Sequence, residues 1–306
     1  PSHGWGHRFN PCRAHHLFTL QQKDGIGLPA ACHPRVPDSG LGSRGDLCEL
    51  THVMGLFEAL VVLHVITGTA GLVAFWGPIA TRKGAPDHRK WGRVACYGFL
   101  GAGVLAILMA LLSLYGPEER IPSITDREVF AGLFGWMMLY LGCLTIGFVD
   151  YGLAVVRHAR DHTALRQARY QAVIAAVVLS GLWCGWFGWR IGHPLMMVVA
   201  GIGIAAMAIQ QRFIWGATPP RQTYVAEHYR ALIGMGISAY TAFLSVGLVR
   251  AFPEHVFNPL IWAGPSTVGI GLIIHFTRKD RAAKARRTSR PRPAAQQVGD
   301  GLVQGE

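Results

Sequence analysis

Four ionisable side chains stand within or beside long apolar segments of this chain. His64 lies inside the first such segment, Asp150 ends the third, and His228 precedes the sixth. His88 belongs to a basic loop between the first two segments. Ionisable groups are costly at membrane depth and usually serve a function there. We therefore take these four as the candidate functional residues.

Three interpretations of these residues follow from their chemistry. In the first they only stabilise packing, with His64 donating a hydrogen bond to a neighbouring helix. In the second they are stations on a path for protons, ions or a small molecule, because imidazole titrates near physiological pH. In the third His64 and another histidine, His193 or His275, bind a haem iron as axial ligands. The predicted depths of His193 and His275 match that of His64 poorly.

The sequence motifs of other kinds of chemistry are absent from this chain. The chain has no zinc signature, nucleotide-binding loop, nucleophile elbow or pair of catalytic carboxylates. The histidines and cysteines near the start of the chain do not have the spacing of a structural zinc site. We therefore predict no metal ligands and no catalytic residue of the soluble-enzyme type, and haem is the one cofactor considered.

Seven apolar segments must position the candidate residues. Each is close to the roughly 20 residues that a helix needs to cross a bilayer. Only 15% of all residues are charged, whereas about a quarter is usual in soluble domains. The alternation typical of barrel strands is absent, so we predict an all-α transmembrane bundle. The predicted spans are residues 56–79, 94–115, 129–149, 172–191, 195–214, 231–249 and 259–276.

Basic residues are divided unequally between the two sides that these spans define. From residue 56 onward, 20 lysines and arginines lie in alternate loops and the C-terminal tail, and four lie on the other side. Cytoplasmic loops retain Lys and Arg, so we predict a bacterial inner-membrane protein with its C-terminus in the cytoplasm and the first span starting outside. The charges flank apolar spans and form no patch suited to nucleic acid.

The chain outside the spans has a different composition. Residues 1–53 begin with Pro1, contain no apolar signal segment, and are rich in Gly, Pro, His and Cys. We predict that they are disordered or a non-native extension and that translation starts at Met54. Residues 54–278 form the predicted seven-helix domain. Residues 279–306 are basic and then rich in Gln and Gly, which predicts a disordered cytoplasmic tail.

Small and aromatic residues indicate how the helices pack. Glycines recur at four-residue spacing on the predicted fourth helix, at Gly181 and Gly185 and again at Gly188 and Gly192. Such spacing lets helices approach closely in lipid. We interpret it as packing within the bundle, with homo-oligomerisation as the alternative. A tryptophan series beginning at Trp183 suits the headgroup region, with a wall for a hydrophobic ligand as the alternative.

Two groups of short motifs resemble a family of predicted bacterial inner-membrane proteins of unknown function. The first is His64 followed by Gly68, and then the loop sequence His88-Arg89-Lys90-Trp91-Gly92-Arg93. The second is Glu227-His228 followed by Ala239-Tyr240-Thr241-Ala242-Phe243. The resemblance covers most of residues 56–278. It implies a multi-pass bundle in which His64, His88 and His228 are the positions to test, and it implies no activity.

The predicted topology separates the candidate residues by depth. It places His88, Asp150 and His228 at the cytoplasmic end and His64 nearer the outer third of the bilayer. The sequence thus predicts a membrane protein that handles protons, ions or an unidentified small molecule through these groups. A haem-binding redox protein and a non-catalytic scaffold or sensor are the alternatives. The lipid bilayer is the expected partner, and nucleic acid is not.

Overall fold

The computed structural model describes residues 44–115, 127–244 and 259–288, and all its regular structure there is helical, without a strand. A π-helical segment covers Ala131–Met137, and a 3-10 helix covers His162–Arg166. The α-helices of these ranges are α1 Arg44–Ala80, α2 Pro86–Tyr115, α3 Arg127–Phe130, α4 Met138–Arg157, α5 Ala168–Arg190, α6 Pro194–Trp215, α7 Arg221–Ala242 and α8 Pro259–Thr288.

Five helical stretches of the described chain are long and apolar enough to cross a membrane. They contain the first five predicted spans, except that α5 ends one residue before the fourth does, so the prediction of an all-helical, membrane-type bundle is confirmed in this form. Helix α7 holds most of the sixth predicted span, and α8 holds the seventh. Neither helix is among the five. The five stretches are Gly55–Ala80, Pro86–Tyr115, Arg127–Arg157, Ala168–Arg190 and Pro194–Trp215.

Large apolar side chains lie on the outside of this bundle. Val73, Leu179, Ile202 and Ile209 each leave about two thirds of their surface exposed. The interior combines alanine and glycine with methionine, aliphatic and aromatic side chains. Small residues inside and apolar residues outside are what close helix packing in lipid favours. The distribution is therefore consistent with membrane insertion.

Helix α4 is the centre of the bundle and packs against α2, α5 and α7. Three glycines allow this: Gly142 lies against α2, Gly147 against α5 and Gly152 against α7. Residues five apart on a helix are rotated by about 140° from one another, since each residue turns the helix by about 100°. Glycines at this spacing therefore open three different faces of one helix to three neighbours.

Two further contacts fix α1 and α6. Helices α1 and α2 cross where Gly98 lies against the backbone of Gly71, so closely that an added Cβ would be 2.8 Å from the Gly71 Cα. On the other side, the buried Tyr140 hydroxyl of α4 donates toward the Ala200 carbonyl of α6, at 3.3 Å, and lies against Gly203. In both places glycine lets the chain come close to its neighbour.

The ends of the outer helices extend past the predicted spans. Helix α1 begins at Arg44, inside the segment that we predicted to be disordered or non-native, while residues 1–43 lie outside the described residues. Helix α8 continues to Thr288, so the first part of the predicted tail is helical, and residues 289–306 are likewise not described.

Candidate functional site

One end of the bundle gathers three short connections, residues 81–85, 158–167 and 216–220, and we call it the basic end. Side chains join these connections to one another and to α8. The Lys83 Nζ lies over the ring of Phe276, at 4.2 Å from its centroid. Arg166 donates to the carbonyls of Ile214 and Gly216, at 3.1 and 3.2 Å. The basic end is therefore a packed layer that carries cations from several helices.

His228 lies in the second turn of α7 and faces α4. Its Nδ1 donates to the Gly152 carbonyl at 2.6 Å, because a carbonyl oxygen can only accept. The approach depends on the glycine, which brings the α4 backbone close to α7. His88 and Lys83 are near the half-buried His228. This imidazole is thus the centre of a group of basic side chains drawn from three elements.

His88 stabilises the turn between α1 and α2. Pro86 occupies the first position of α2, where its missing N–H leaves no bond unmade. Two residues later, the Nδ1 of His88 donates to the Pro78 carbonyl at 3.1 Å. That carbonyl is one of the last four of α1, which have no partner inside their own helix. His88 therefore closes the C-terminus of α1 and is fixed in position by doing so.

His64 lies apart from the basic end. Its Nδ1 donates to the Ala102 carbonyl of α2 at 3.0 Å, across the crossing of the two helices. At 1.5 Å per residue, His64 is roughly 24 Å along α1 from Ala80. The bond to a neighbouring helix is the one that the packing interpretation predicts. His64 is not brought together with His88 or His228.

Two carboxylates near the basic end are paired. Asp150 accepts from the Nη2 of Arg169 at 2.5 Å, in an ion pair between α4 and α5. Glu227 accepts from the Tyr151 hydroxyl at 3.0 Å and from Arg230 at 2.8 Å. The ion pair with Arg169 gives Asp150 a structural role, which its position in the sequence alone does not predict. Neither carboxylate bonds to His228 in the described structure.

Lys83 differs electrostatically from the other exposed cations. Partial burial against α7 and α8 lowers the pKa of its ammonium group, and the neighbouring Lys279 lowers it further. Asp280, whose carboxylate is 3.9 Å from Nζ, acts in the opposite direction. Because burial is the largest of these effects, Lys83 holds its proton less strongly than an ordinary lysine.

One buried histidine was not among the residues predicted from the sequence. His162 is only 4% exposed. Its Nδ1 forms a 2.9 Å hydrogen bond with the Tyr224 hydroxyl, and its ring meets Phe213 edge to face with centroids 5.4 Å apart. Within the described residues its Nε2 is buried without a hydrogen-bond partner. His162 stands in a polar connection, where no sequence pattern separates a buried histidine from an exposed one.

The haem interpretation requires a second imidazole near His64. His193 lies at the turn before α6, and His275 lies on α8 near the basic end. In the part of the chain that the structure describes, no hydrogen bond or ring contact joins either to His64, and no three His, Cys, Asp or Glu side chains form a metal-binding group. An optical spectrum of purified protein, expressed with adequate haem supply, tests the interpretation through its Soret band.

Comparisons with known proteins supply no relative. No protein family, curated protein or solved structure matches this chain. The resemblance described above therefore depends on its short motifs alone. Any function must be argued from the geometry of the chain itself.

The three candidate histidines share one arrangement. Each donates Nδ1–H to a main-chain carbonyl: His64 to Ala102, His88 to Pro78 and His228 to Gly152. The neutral ring then carries its lone pair on Nε2, which has no hydrogen-bond partner among the described residues. A histidine held in this way can accept a proton or contact a ligand at Nε2.

Proposed function

We propose that the chain is a seven-span protein of the bacterial inner membrane, with the start of α1 outside and the basic end in the cytoplasm. The 20-to-4 distribution of basic residues supports this orientation. Helices α7 and α8, of 22 and 30 residues, have the length to span as well. The first turns of α7 are polar because they belong to the basic end, which lowers the apolarity of the helix as a whole.

Reporter fusions test this orientation. A reporter fused after Arg287 should behave as cytoplasmic, and one inserted near Glu118, outside the described residues, should behave as periplasmic. The reverse pattern would overturn the orientation. A periplasmic signal at both positions would overturn the count of seven spans.

We propose further that the protein moves protons, or an ion or small molecule together with protons, through His88 and His228 at the basic end. The observation that supports this most directly is the state of His228, held through Nδ1 and acted on by His88 and Lys83. Protonation at Nε2 leaves the bond to Gly152 intact, so His228 can gain and lose a proton without disturbing the contact between α4 and α7. His64 and Asp150 are the further stations in this proposal.

The decisive variant is His228→Asn. An asparagine amide reaches about the same position as Nδ1 and can still donate to the Gly152 carbonyl, but it has no titratable nitrogen. The protein is reconstituted in vesicles that contain a pH-sensitive dye, and a potassium diffusion potential drives proton entry. We expect entry in the wild type and a loss of at least about tenfold in the variant, because a removed relay group has no substitute.

The matched control is His275→Asn. His275 is exposed on α8, and its described ring contact is with the adjacent Phe276. Its variant should retain wild-type proton entry. Equal losses in both variants would indicate a general loss of folding, and wild-type rates in both would refute the role of His228. No proton entry in the wild type would overturn the proposal as a whole.

A second candidate function is a non-catalytic scaffold or sensor. It is favoured by the fact that every candidate residue already has a packing role, shown most plainly by the ion pair of Asp150 with Arg169. In that case the Asn variants of the three histidines should behave as wild type in cells. Substitution of the packing glycines of α4 should then produce the phenotype.

A further inference from the structure

An apolar cleft with a volume of about 230 Å³ lies between α1, α7 and α8. Phe75 and Trp76 form its α1 wall, Ile237 and Tyr240 belong to α7, and Leu272 belongs to α8. The polar atoms of this wall are already paired. The Trp76 Nε1 donates to the Tyr240 hydroxyl at 2.7 Å, which donates to the Leu72 carbonyl at 2.8 Å. The cleft therefore presents an apolar surface to whatever fills it.

Glycines determine where the cleft opens. Helices α7 and α8 touch at Gly269, where an added Cβ would collide with Ile237. One and a half turns away, a Cβ on Gly264 would meet no atom within 4 Å. Pro265 follows directly and interrupts the hydrogen bonding of α8. The two helices are thus in contact on one side of the cleft and apart on the other.

A cation stands at the end of the cleft that faces the basic end. Lys83 Nζ lies 4.2 Å from the centroid of Phe276 and 4.9 Å from that of Tyr229. Each ring is one helical turn from a residue that lines the cleft, Leu272 on α8 and Ile233 on α7. One turn is about 5.4 Å, so the ammonium group lies within reach of a molecule whose tail occupies the cleft.

The charge around Lys83 is positive overall. Asp280 is 3.9 Å from Nζ and partly balances it. Exposed basic residues on the last turns of α8 exceed that single carboxylate, namely Arg278, Lys279 and Arg281. An apolar cleft below a cationic surface is complementary to an amphipathic anion. An uncharged ligand would form no ion pair with Lys83.

We propose that this cleft binds one acyl chain of an anionic phospholipid, whose headgroup phosphate contacts Lys83. The cleft's volume of about 230 Å³ exceeds the roughly 150 Å³ of an apolar cavity that binds benzene, so part of an acyl chain fits. The proposal rests on the membrane topology proposed above, because lipid must surround α7 and α8. It is independent of proton movement.

Fluorescence quenching by brominated lipid tests the proposal, because Trp76 forms one wall of the cleft. The full chain is reconstituted in phosphatidylcholine vesicles that contain a small fraction of brominated phosphatidylglycerol or, separately, brominated phosphatidylcholine. Comparison with Trp76→Phe isolates the contribution of Trp76 from those of the other tryptophans. We expect the brominated anionic lipid to quench Trp76 more strongly than the neutral lipid at the same mole fraction.

Three variants locate the preference. Lys83→Gln should reduce the preference for the anionic lipid about fivefold, the equivalent of about 1 kcal/mol for one basic residue near an anionic surface. Lys90→Gln removes an exposed cation of α2 that lies away from the cleft and should retain the preference. Asp280→Asn removes the competing carboxylate and should strengthen it.

The cleft itself is tested by filling it. Gly264→Leu places a side chain in the open space, whereas Gly271→Leu adds the same side chain at an exposed position of α8 that does not line the cleft. The first should abolish the preferential quenching of Trp76, and the second should leave it unchanged.

Four results would overturn the proposal. These are equal quenching by the two lipids in the wild type, equal losses in the Lys83 and Lys90 variants, no effect of Gly264→Leu, and displacement of the lipid by glycerol phosphate alone, which has the headgroup but no tail. Absence of quenching by either lipid would instead contradict the membrane topology, so the two failures can be distinguished.

Discussion

Substitution of Gly98 by alanine should separate α1 from α2. The added Cβ would lie 2.8 Å from the Cα and N of Gly71 and from the carbonyl oxygen of Thr67. Carbon atoms reach their best separation at roughly 3.5 Å or more. All three neighbours are backbone atoms, which cannot rotate away as a side chain can. The two helices must therefore move apart.

The expected loss has three parts. Overpacking of this kind destabilises by about 1–3 kcal/mol, and rigid backbone neighbours favour the upper half of that range. The hydrogen bond from His64 to Ala102 lies one turn from the crossing, and its loss would add about 0.6 kcal/mol, the average for such bonds in a membrane protein. The better helix propensity of alanine returns up to about 1 kcal/mol. We expect a net destabilisation of about 2 kcal/mol.

The measurement is the free energy of unfolding in mixed micelles of mild detergent and dodecyl sulfate. Gly101→Ala is the matched control, because it lies on the same helix and its added Cβ would meet the Thr67 side chain at an ordinary 3.4 Å. The control should be neutral or slightly stabilising. If Gly98→Ala were as stable as the control, the close crossing of α1 and α2 would be refuted.

Three further substitutions test the packing of the basic end. Tyr151→Phe leaves one oxygen of the buried Glu227 without its donor and should destabilise by about 1.5 kcal/mol or more, measured by unfolding in the same micelles. Arg166→Lys cannot donate in the same fork to the carbonyls of Ile214 and Gly216 at the end of α6, and the melting temperature should fall, while Arg160→Lys, in the same connection as Arg166, changes little. Lys83 has a folded-state pKa below its ordinary value of 10.5, so its burial penalty is present at neutral pH and disappears as pH rises toward 10.5. The stability of the wild type relative to Lys83→Met should therefore increase between neutral pH and pH 10.5. A difference in stability that does not change with pH would contradict the burial of Lys83.

The helices could be predicted because apolar segments near bilayer length have few other structures available. The predicted second span begins at residue 94, while α2 begins at Pro86, because its first two turns are polar and helical at once. Helix α7 is a similar case, since its apolar part is joined to polar turns that contain Glu227 and His228. Hydropathy detects the environment of a segment and does not detect where its helix begins.

A contact of the site could be predicted only where the surroundings of a single residue require it. A histidine deep in an apolar helix must find an acceptor, and His64 finds Ala102. The partner of His228 depends on which helices are neighbours, and Gly152 is 76 residues away in sequence. The meeting of His162, Phe213 and Tyr224 depends on one connection and the ends of α6 and α7 converging, which a single sequence does not encode locally.

The contact between Tyr140 and Gly203 makes the order of evolutionary change matter. A side chain at position 203 would occupy the place of the Tyr140 hydroxyl. Alanine at 203 is therefore tolerated better after residue 140 has become smaller, so the effect of each substitution depends on the other. The hydroxyl that joins α4 to α6 also restricts which neighbouring sequences this chain can reach by single steps.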